Sequence, residues 1–479
     1  MSRFSGVVTT GIYCRAGCAG KPKQENVRDY EFAAAAEAAG FRPCLQCRPD
    51  KGPRWPDWLG PSEVVCRALH LIGQGALDEA SVDELATRLG VGPRHLRRLF
   101  DTHVGASPIA IARSRRAHFA RRLLDETDLS VAEIAFAAGF TSLRQFNRTM
   151  LDIFRYPPTG LRERRRRNDR IPGDAGLSVR LVYRPPLDWT TTIRYLAARA
   201  IPGVESVDEG RYRRTIEWEG SPGVIELAPD SGDSHLVLTV YLGQLAGLIH
   251  VVEQARRIFD LGADPVVITD ALRRDPGLAP LVTTRPGLRV PGTWDPCELA
   301  VRAVLGQQVS VAAATHLAGK VAAAFGTPAD WSDPALTRVF PGAEVLADAD
   351  LSKIGMPARR ADAIRALAGA VAAGELALDG SRGLDALVTQ LCALPGIGPW
   401  TAQYIAMRAC GEPDAFPSGD LGLRRAAGNG NGPVDEAELE TRSQAWRPWR
   451  AYAAMHLWSA PTTAGNGQTK RPERVTTSA

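Results

Sequence analysis

Two stretches of the chain repeat one pattern of apolar and polar positions. In "ASVDELATRLGVGPRHLRRLF", which begins at Ala80, Val82, Leu85, Ala86 and Leu89 keep the three-and-four spacing of a buried helix face. Ser81 and Glu84 stand where a capping box opens a helix, Gly90 allows a tight turn, and Val91, Leu96 and Leu99 give the next helix its own stripe. The pattern recurs 49 residues on in "LSVAEIAFAAGFTSLRQFNRTM", with Ser130 and Glu133 as the box and Gly139 at the turn. Two helix-turn-helix units in tandem are predicted. Their second helices offer Arg94, Arg97 and Arg98, then Ser142, Arg144 and Gln145, as polar side chains suited to a major groove. An ordinary helical pair with a solvated basic face would show the same polarity. From Leu177 the runs "LSVRLVYR", "TIEWEG", "VIELAP" and "HLVLTVYL", bounded by Gly, Pro and Asp, predict an antiparallel sheet with helices. Helical spacing returns from Gly287 to Ala460, and "AGNGQTKRPERVTTSA" predicts a disordered tail.

The length of 479 residues exceeds what one core serves, and about 150 residues per domain suggests roughly three modules or more. The pattern divides the chain into a cysteine segment over 1–55, a double helix-turn-helix domain over 60–165 and a linker over 166–176. An α+β domain over 177–286, a helical domain over 287–462 and a tail over 463–479 follow. The expected class is multidomain, mostly α with α+β parts. "MSRFSGVV" carries no charged start followed by an apolar stretch, and no run of roughly 20 apolar residues occurs. A cytoplasmic, nucleoid-associated protein without membrane contact, and a monomer, is expected. Net charge is +5, but residues 1–170 hold 28 Lys and Arg against 19 Asp and Glu, while the rest holds 30 against 34. The split suggests that the front of the chain carries most of the nonspecific phosphate affinity, although a basic balance alone also fits a plain solubility device. Basic "RERRRRNDRIPGDAG", from Arg162 to Gly176, reads as a helix end running into a linker.

Four of the eight cysteines gather near the start: Cys14 and Cys18, then Cys44 and Cys47, with 25 residues between the pairs. That C-x3-C…C-x2-C spacing suits one tetrahedral zinc in a reducing compartment, while Cys66, Cys297, Cys392 and Cys410 are scattered singly. A structural site is the common use of such a set. The wording "TTGIYCRAGC", "ENV", "AAAAEAAGFRPC" and "CRPD" resembles the amino-terminal domain of the Ada family of adaptive-response methyl acceptors. The helix-turn-helix region is similar to the AraC-type domain that follows there, so the resemblance covers about residues 6–165. Thirteen residues precede Cys14, where the family has a helical stretch, and the family's Pro-Cys-His-Arg methyl-acceptor domain is missing. The resemblance implies that Cys14 is both zinc ligand and acceptor of a methyl group from a methylated DNA phosphate. Four thiolates on Zn²⁺ leave a net −2 that keeps each sulfur nucleophilic. Methylating one sulfur changes this to −1. At roughly 7 Å and an effective dielectric near 40 that relieves about 1 kcal/mol of repulsion per nearby phosphate. Arg15, Lys21 and Lys23 would hold phosphates against Cys14, or form an ordinary solvated face.

In "LCALPGIGPWTAQYIAMRA", Leu394 to Gly398 join two helical stretches by a glycine hairpin. Backbone N–H groups at a helix start there, Gly396 and Gly398 among them, suit a DNA phosphate. "DAFPSGDLGLRR" places Asp420 22 residues after Gly398. Together with "VRAVLGQQVS" and "RPWRAYAAMHLW", this resembles the AlkA family of helix-hairpin-helix alkylbase glycosylases over roughly residues 178–460. The resemblance implies excision of 3-methyladenine-type bases by a DNA-3-methyladenine glycosylase II activity, with Asp420 opposing the cationic sugar. At about 4 Å and a dielectric near 20 that attraction is roughly 4 kcal/mol, near a thousandfold in rate. Trp400, Tyr404 and Trp458, with Gln307, are implied as the pocket for a flipped base, and Gln308 stands where the family often has a leucine wedge. Trp400 occupies the position of the lyase branch's lysine and no cysteine follows Cys410, so a monofunctional enzyme without an iron–sulfur cluster is expected. The expected partners are alkylated and promoter duplex DNA, and RNA polymerase on activation. The rival reading is a noncatalytic regulator, zinc-stabilised, whose second half only grips DNA.

Overall fold

The computed structural model describes residues 4–15, 18–20, 22–49, 62–78, 80–166, 169–171, 176–230 and 234–460. Lys21, the "KGPRWPDW" linker and the tail from 463 lie outside them. The cysteine segment is a four-stranded sheet of β1 (Phe4–Val7), β2 (Ile12–Arg15), β3 (Val27–Tyr30) and β4 (Arg42–Pro43), ordered β3-β1-β2-β4, with α1 (Ala33–Ala38) against it. Tyr13 is fully buried beneath Ala36 and Phe41. Its hydroxyl donates to Glu37 Oε1 at 2.8 Å.

Then come α2 (Glu63–Gly73), α3 (Val82–Arg88), α4 (Pro93–His103), α5 (Pro108–Glu126), α6 (Val131–Ala137), α7 (Leu143–Phe154) and α8 (Pro158–Arg162). Both capping boxes form: Glu84 N–H donates to Ser81 Oγ and Glu133 N–H to Ser130 Oγ, each at 3.2 Å, and the glutamates reach back to the cap N–H groups at 2.6 and 2.7 Å. Gly90 and Gly139 turn with φ of 71° and 78°, the left-handed region that favours glycine.

An antiparallel sheet in the order β5-β9-β8-β7-β6 follows, from β5 (Leu177–Val182), β6 (Glu205–Asp208), β7 (Arg211–Trp218), β8 (Ser221–Pro229) and β9 (His235–Tyr241). Its period of two is clean in β9, where Leu236, Leu238 and Val240 are buried and their neighbours are not. Helices α9 (Trp189–Ala197) and α10 (Leu248–Ile258) accompany it. The helical domain comprises α13 (Pro296–Leu305), α14 (Val311–Phe325), α15 (Ala343–Ala347), α16 (Ala358–Ala372), α17 (Leu384–Cys392), α18 (Pro399–Arg408), α19 (Leu421–Ala427), α20 (Glu436–Ser443) and α21 (Arg450–Trp458). Helices α11 (Pro265–Leu272) and α12 (Ala279–Thr284), which precede the expected boundary at 287, pack into its core through Ile268, Leu272 and Val282. In α13 every residue from Cys297 to Leu305 except Arg302 is buried, so it is the central helix of that domain.

The modules do not have separate cores. Phe32, Ala34 and Ala35 of the cysteine segment pack with Leu69, Leu85, Leu96 and Phe100 of the first reader unit. Phe146, Ile153, Phe154 and Leu161 of the second share one cluster with Val179, Leu181, Leu238 and Ile249 of the sheet domain. Across the expected 166–176 linker, Ile171 N–H donates to Glu126 O at 3.1 Å and Arg180 to Asp169 O at 2.8 Å. Polar contacts also reach the helical domain: Arg88 meets Asp379 at 2.7 Å, and Arg67 donates to Ser381 O at 2.7 Å. Asp78 gathers Arg115, Arg116 and His250 at 3.3, 3.6 and 3.2 Å.

Candidate functional site

Strand β2 delivers Cys14, the following loop Cys18, and the turn after β4 Cys44 and Cys47. Their four sulfurs lie within 4.8 Å of one another. Tetrahedral Zn–S bonds of about 2.3 Å set sulfurs about 3.8 Å apart, so the donor set fits one zinc in number, softness and span. Burial first, then its sulfur neighbours Cys18, Cys44 and Cys47, pushes the Cys14 thiol up; burial also pushes Cys47 to about 11. Cys44 moves down although burial opposes it, because the backbone N–H groups of Cys47 and Gln46 point at it. A metal cation between the sulfurs supplies the charge that lets all four ionise. Beside the site, buried Arg48 pairs with Asp125 of α5 and lies 3.9 Å from Asp169, which fastens the zinc turn to the reader. Lys23 is exposed and pairs loosely with Glu25 at 3.9 Å; Arg15 is exposed at the end of β2.

Arg94, Arg97, Arg98, Ser142, Arg144 and Gln145 are all exposed, the arginines of the first unit in the first two turns of α4 and the others at the start of α7. Arg97 meets Asp83 at 2.7 Å and Arg98 meets His95 at 3.0 Å. Ser142 is the N-cap of α7 and accepts the Gln145 N–H at 3.5 Å.

In the second half, helix α17, the Leu394–Gly398 turn and α18 form the hairpin. Gly396 adopts φ 77°, and a Cβ there would sit 2.9 Å from the Ala363 side chain. Gly398 is the N-cap of α18 with no side-chain cap, and Pro399 takes the first helical position, so the N–H groups of the opening turn remain available to an anion. Trp400 in the first turn of α18 and Tyr404 one turn on stack at 5.4 Å and 10°, and Trp458 of α21 meets Tyr404 edge-on at 6.3 Å. Asp420 caps α19, accepting the Leu423 N–H at 2.9 Å. Its two oxygens also accept indole N–H groups, Oδ1 from Trp458 at 2.9 Å and Oδ2 from Trp400 at 3.1 Å. Carboxylate and aromatic rings thus form one unit on a cleft of about 540 Å³.

Sequence reasoning missed the cleft's other wall. Tyr195 and Arg199 come from α9 and its end, Arg302 from α13 and Arg408 from α18. Arg408 donates to Tyr404 Oη at 2.9 Å and also to Tyr195 Oη. Burial raises the Tyr404 phenol, but the guanidiniums of Arg408, Arg199 and Arg302 outweigh it and bring it to about 8, while burial pushes Tyr195 up to about 12. Arg408 follows Trp400 and Tyr404 at helical spacing and was findable on that ground. Tyr195 and Arg199 belong to another domain and carry no local signal.

Gln307, expected in the base pocket, does not line the cleft. Its amide donates to Gly396 O at 2.9 Å and Thr401 Oγ1 at 3.1 Å, so it braces the hairpin, because its place at the end of α13 points it there. Gln308 stands exposed with φ 58°, a left-handed conformation at the tip between α13 and α14.

A hairpin glycosylase site on a sheet-plus-helix body, joined to a four-cysteine knot and paired reader helices, defines a fused DNA-repair and regulatory protein. Family models agree along the chain: the metal binding domain of Ada over residues 2–50, a helix-turn-helix domain over 85–164, the AlkA N-terminal domain over 178–295 and the HhH-GPD superfamily of base excision DNA repair proteins over 301–451. A relative from Mycobacterium tuberculosis (strain CDC 1551 / Oshkosh), the probable bifunctional transcriptional activator/DNA repair enzyme AlkA, is 44% identical over 96% of this chain and 94% of its own. The chain belongs to that bifunctional family. Escherichia coli DNA-3-methyladenine glycosylase 2 is 36% identical over 58% of this chain and 95% of its own. Escherichia coli Ada matches over 30% of this chain at 34% identity, though over 39% of its own. The solved 3-methyladenine DNA-glycosylase from Archaeoglobus fulgidus shares the fold of the second half, with TM-score 0.51 at 22% identity over 58% of this chain and 96% of its own. Among the described residues no helix is long and apolar enough to cross a membrane.

Proposed function

We propose that the cleft excises N-alkylated purines of the 3-methyladenine type and leaves an intact abasic strand. The observation that carries this is Asp420, held at both oxygens by the indole N–H groups of Trp400 and Trp458. Those bonds fix the carboxylate against rings that suit a flipped cationic base, so a sugar cation forming at C1′ meets an oriented negative charge without reorganisation. Gly396, Gly398 and the start of α18 take a phosphate, and Gln308 reaches into the duplex from its exposed tip. No lysine stands at Trp400, which supports hydrolysis without strand cleavage.

At the other end Cys14, Cys18, Cys44 and Cys47 hold one zinc, and Cys14 takes a methyl group from a methylated phosphotriester. The exposed side chains of α4 and α7 read promoter DNA, and RNA polymerase is the protein partner of an activator. The clustered sulfurs and the Ada-type match support this part.

The test is base release from duplex containing 3-methyladenine. Asp420→Asn keeps the helix cap, binds the duplex and releases base at least about a hundredfold more slowly. Equal release by the variant removes Asp420 from the mechanism; no release by wild type on any alkylated purine favours a noncatalytic DNA-binding half.

A further inference from the structure

Three arginines line the base cleft, and two of them are occupied. Arg302 faces Glu205 at 3.2 Å and Glu298 at 3.4 Å. Arg408 gives its N–H groups to the phenols of Tyr195 and Tyr404 and to the carbonyls of Pro291 and Gly292. Arg199, half-buried just past the end of α9, forms no ion pair with a carboxylate among the described residues. Its Nη1 donates to Tyr195 O at 3.3 Å, one turn back, and its guanidinium lies over the Tyr195 ring at 3.7 Å. The backbone beneath it is pinned, because Arg302 Nη2 donates to Arg199 O from within the buried Glu205–Arg214–Glu298 cluster. A fixed cation with hydrogen-bond donors to spare therefore lines the same cleft as Asp420. That is the wrong sign for a base that arrives positively charged.

We propose that Arg199 sorts bases by charge, favouring the release of uncharged purines that carry a ring carbonyl and opposing cationic ones; the inference rests on the glycosylase reading above. Breaking the C1′–N bond leaves both bonding electrons on the base nitrogen. A cationic alkylpurine then departs neutral and needs no help from a guanidinium. An uncharged purine departs as an anion, and its carbonyl oxygen and ring nitrogens accept hydrogen bonds from Arg199, which keeps its own protons. The sugar cation, facing Asp420, is captured by water, whose proton passes to solvent. Asp420 thus serves the sugar in both cases, while Arg199 serves the leaving group in one.

The experiment compares full-length wild type, Arg199→Met and Arg199→Lys in single-turnover release from two duplexes, one containing deoxyinosine and one 7-methylguanine. Removing the charge should slow release of hypoxanthine at least about tenfold and speed release of 7-methylguanine, and lysine should recover most of the hypoxanthine rate. Binding to an abasic duplex, equal across the three proteins, reports that the cleft is intact. An equal loss on both bases assigns Arg199 a merely structural role and overturns the proposal. So does a wild type that releases 7-methylguanine but no hypoxanthine, which leaves the glycosylase reading standing. A wild type that releases neither overturns both.

Discussion

Replacing Glu412 by glutamine should stabilise the protein at alkaline pH and do little in acid. Glu412 sits in the turn after α18, 5% exposed, and its Oε1 has no hydrogen-bond partner among the described residues. It borders a cavity of about 90 Å³ where three modules meet, with His70 from α2, Glu253, Arg256, Arg257 and Asp260 from α10 and the turn that follows it, and Arg408 from α18. Burial raises its carboxyl to about 8, helped by Glu63 and Asp414 and opposed by Arg67. The folded state therefore keeps a proton that the unfolded chain gives up near 4.5. Its contribution is whole below that value and is lost as pH rises through about 8. At 1.36 kcal/mol per pH unit the full loss is about 5 kcal/mol, as an order of magnitude. Glutamine keeps the shape and cannot ionise. The gap between variant and wild type should be under about 1 kcal/mol at pH 5 and several kcal/mol at pH 8.5. Urea midpoints at both pH values measure it, and hydrogen exchange in α2 and residues 379–383 places the gain at the junction of reader and helical domain. A gap of equal size at both pH values, or none at pH 8.5, refutes the reasoning.

The zinc knot and the caps give two more expectations. Cys14→Ala should abolish methyl uptake from methylphosphotriester DNA while base release persists, and metal analysis should find about one zinc per wild-type chain; a labelled methyl group on another cysteine would displace Cys14 as acceptor. Ser130→Ala removes the side-chain acceptor of a formed capping box and should cost about 1 kcal/mol, read as a lowered urea midpoint for the second reader unit, with Ser130→Asp as a control that retains the cap.

What the sequence made legible was local. Capping boxes, the glycine turns, the alternation in β9 and the hairpin at Leu394–Gly398 are each set by residues within a few positions of one another, and each forms. The aromatic triad and Asp420 lie on three helices, and a family motif stood in for the missing geometry. Two kinds of feature escaped. Arg199 reaches the cleft from another domain, through a backbone held by Arg302 and its glutamates, and no spacing rule spans that distance. Gln307 and Gln308 differ by one position, but both lie in the turn after helix α13 and the backbone passes to φ 58° at Gln308, so one amide braces the hairpin while its neighbour stands exposed. A helix end redirects side chains in a way that composition does not encode.

The shared cores change what the division into modules means. Phe146, Ile153, Phe154 and Leu161 are at most 3% exposed, and they reach that burial in one cluster with Val179, Leu181 and Leu238 of the sheet domain. Burying a side chain of this size is worth about 1.5–3 kcal/mol. Prising the second reader unit from the sheet would expose apolar surface on both sides and break the Glu126–Arg180 contact, where the Arg180 N–H meets Glu126 Oε2 at 3.0 Å. The reader is therefore held by packing as well as by chain connection, and a ligand bound to it would stabilise a body that includes the sheet domain. The zinc knot joins the same body through Phe32 and Arg48. If Cys14 takes a methyl group as proposed, the change of charge would arise on a segment packed against helices that are themselves packed on the sheet domain.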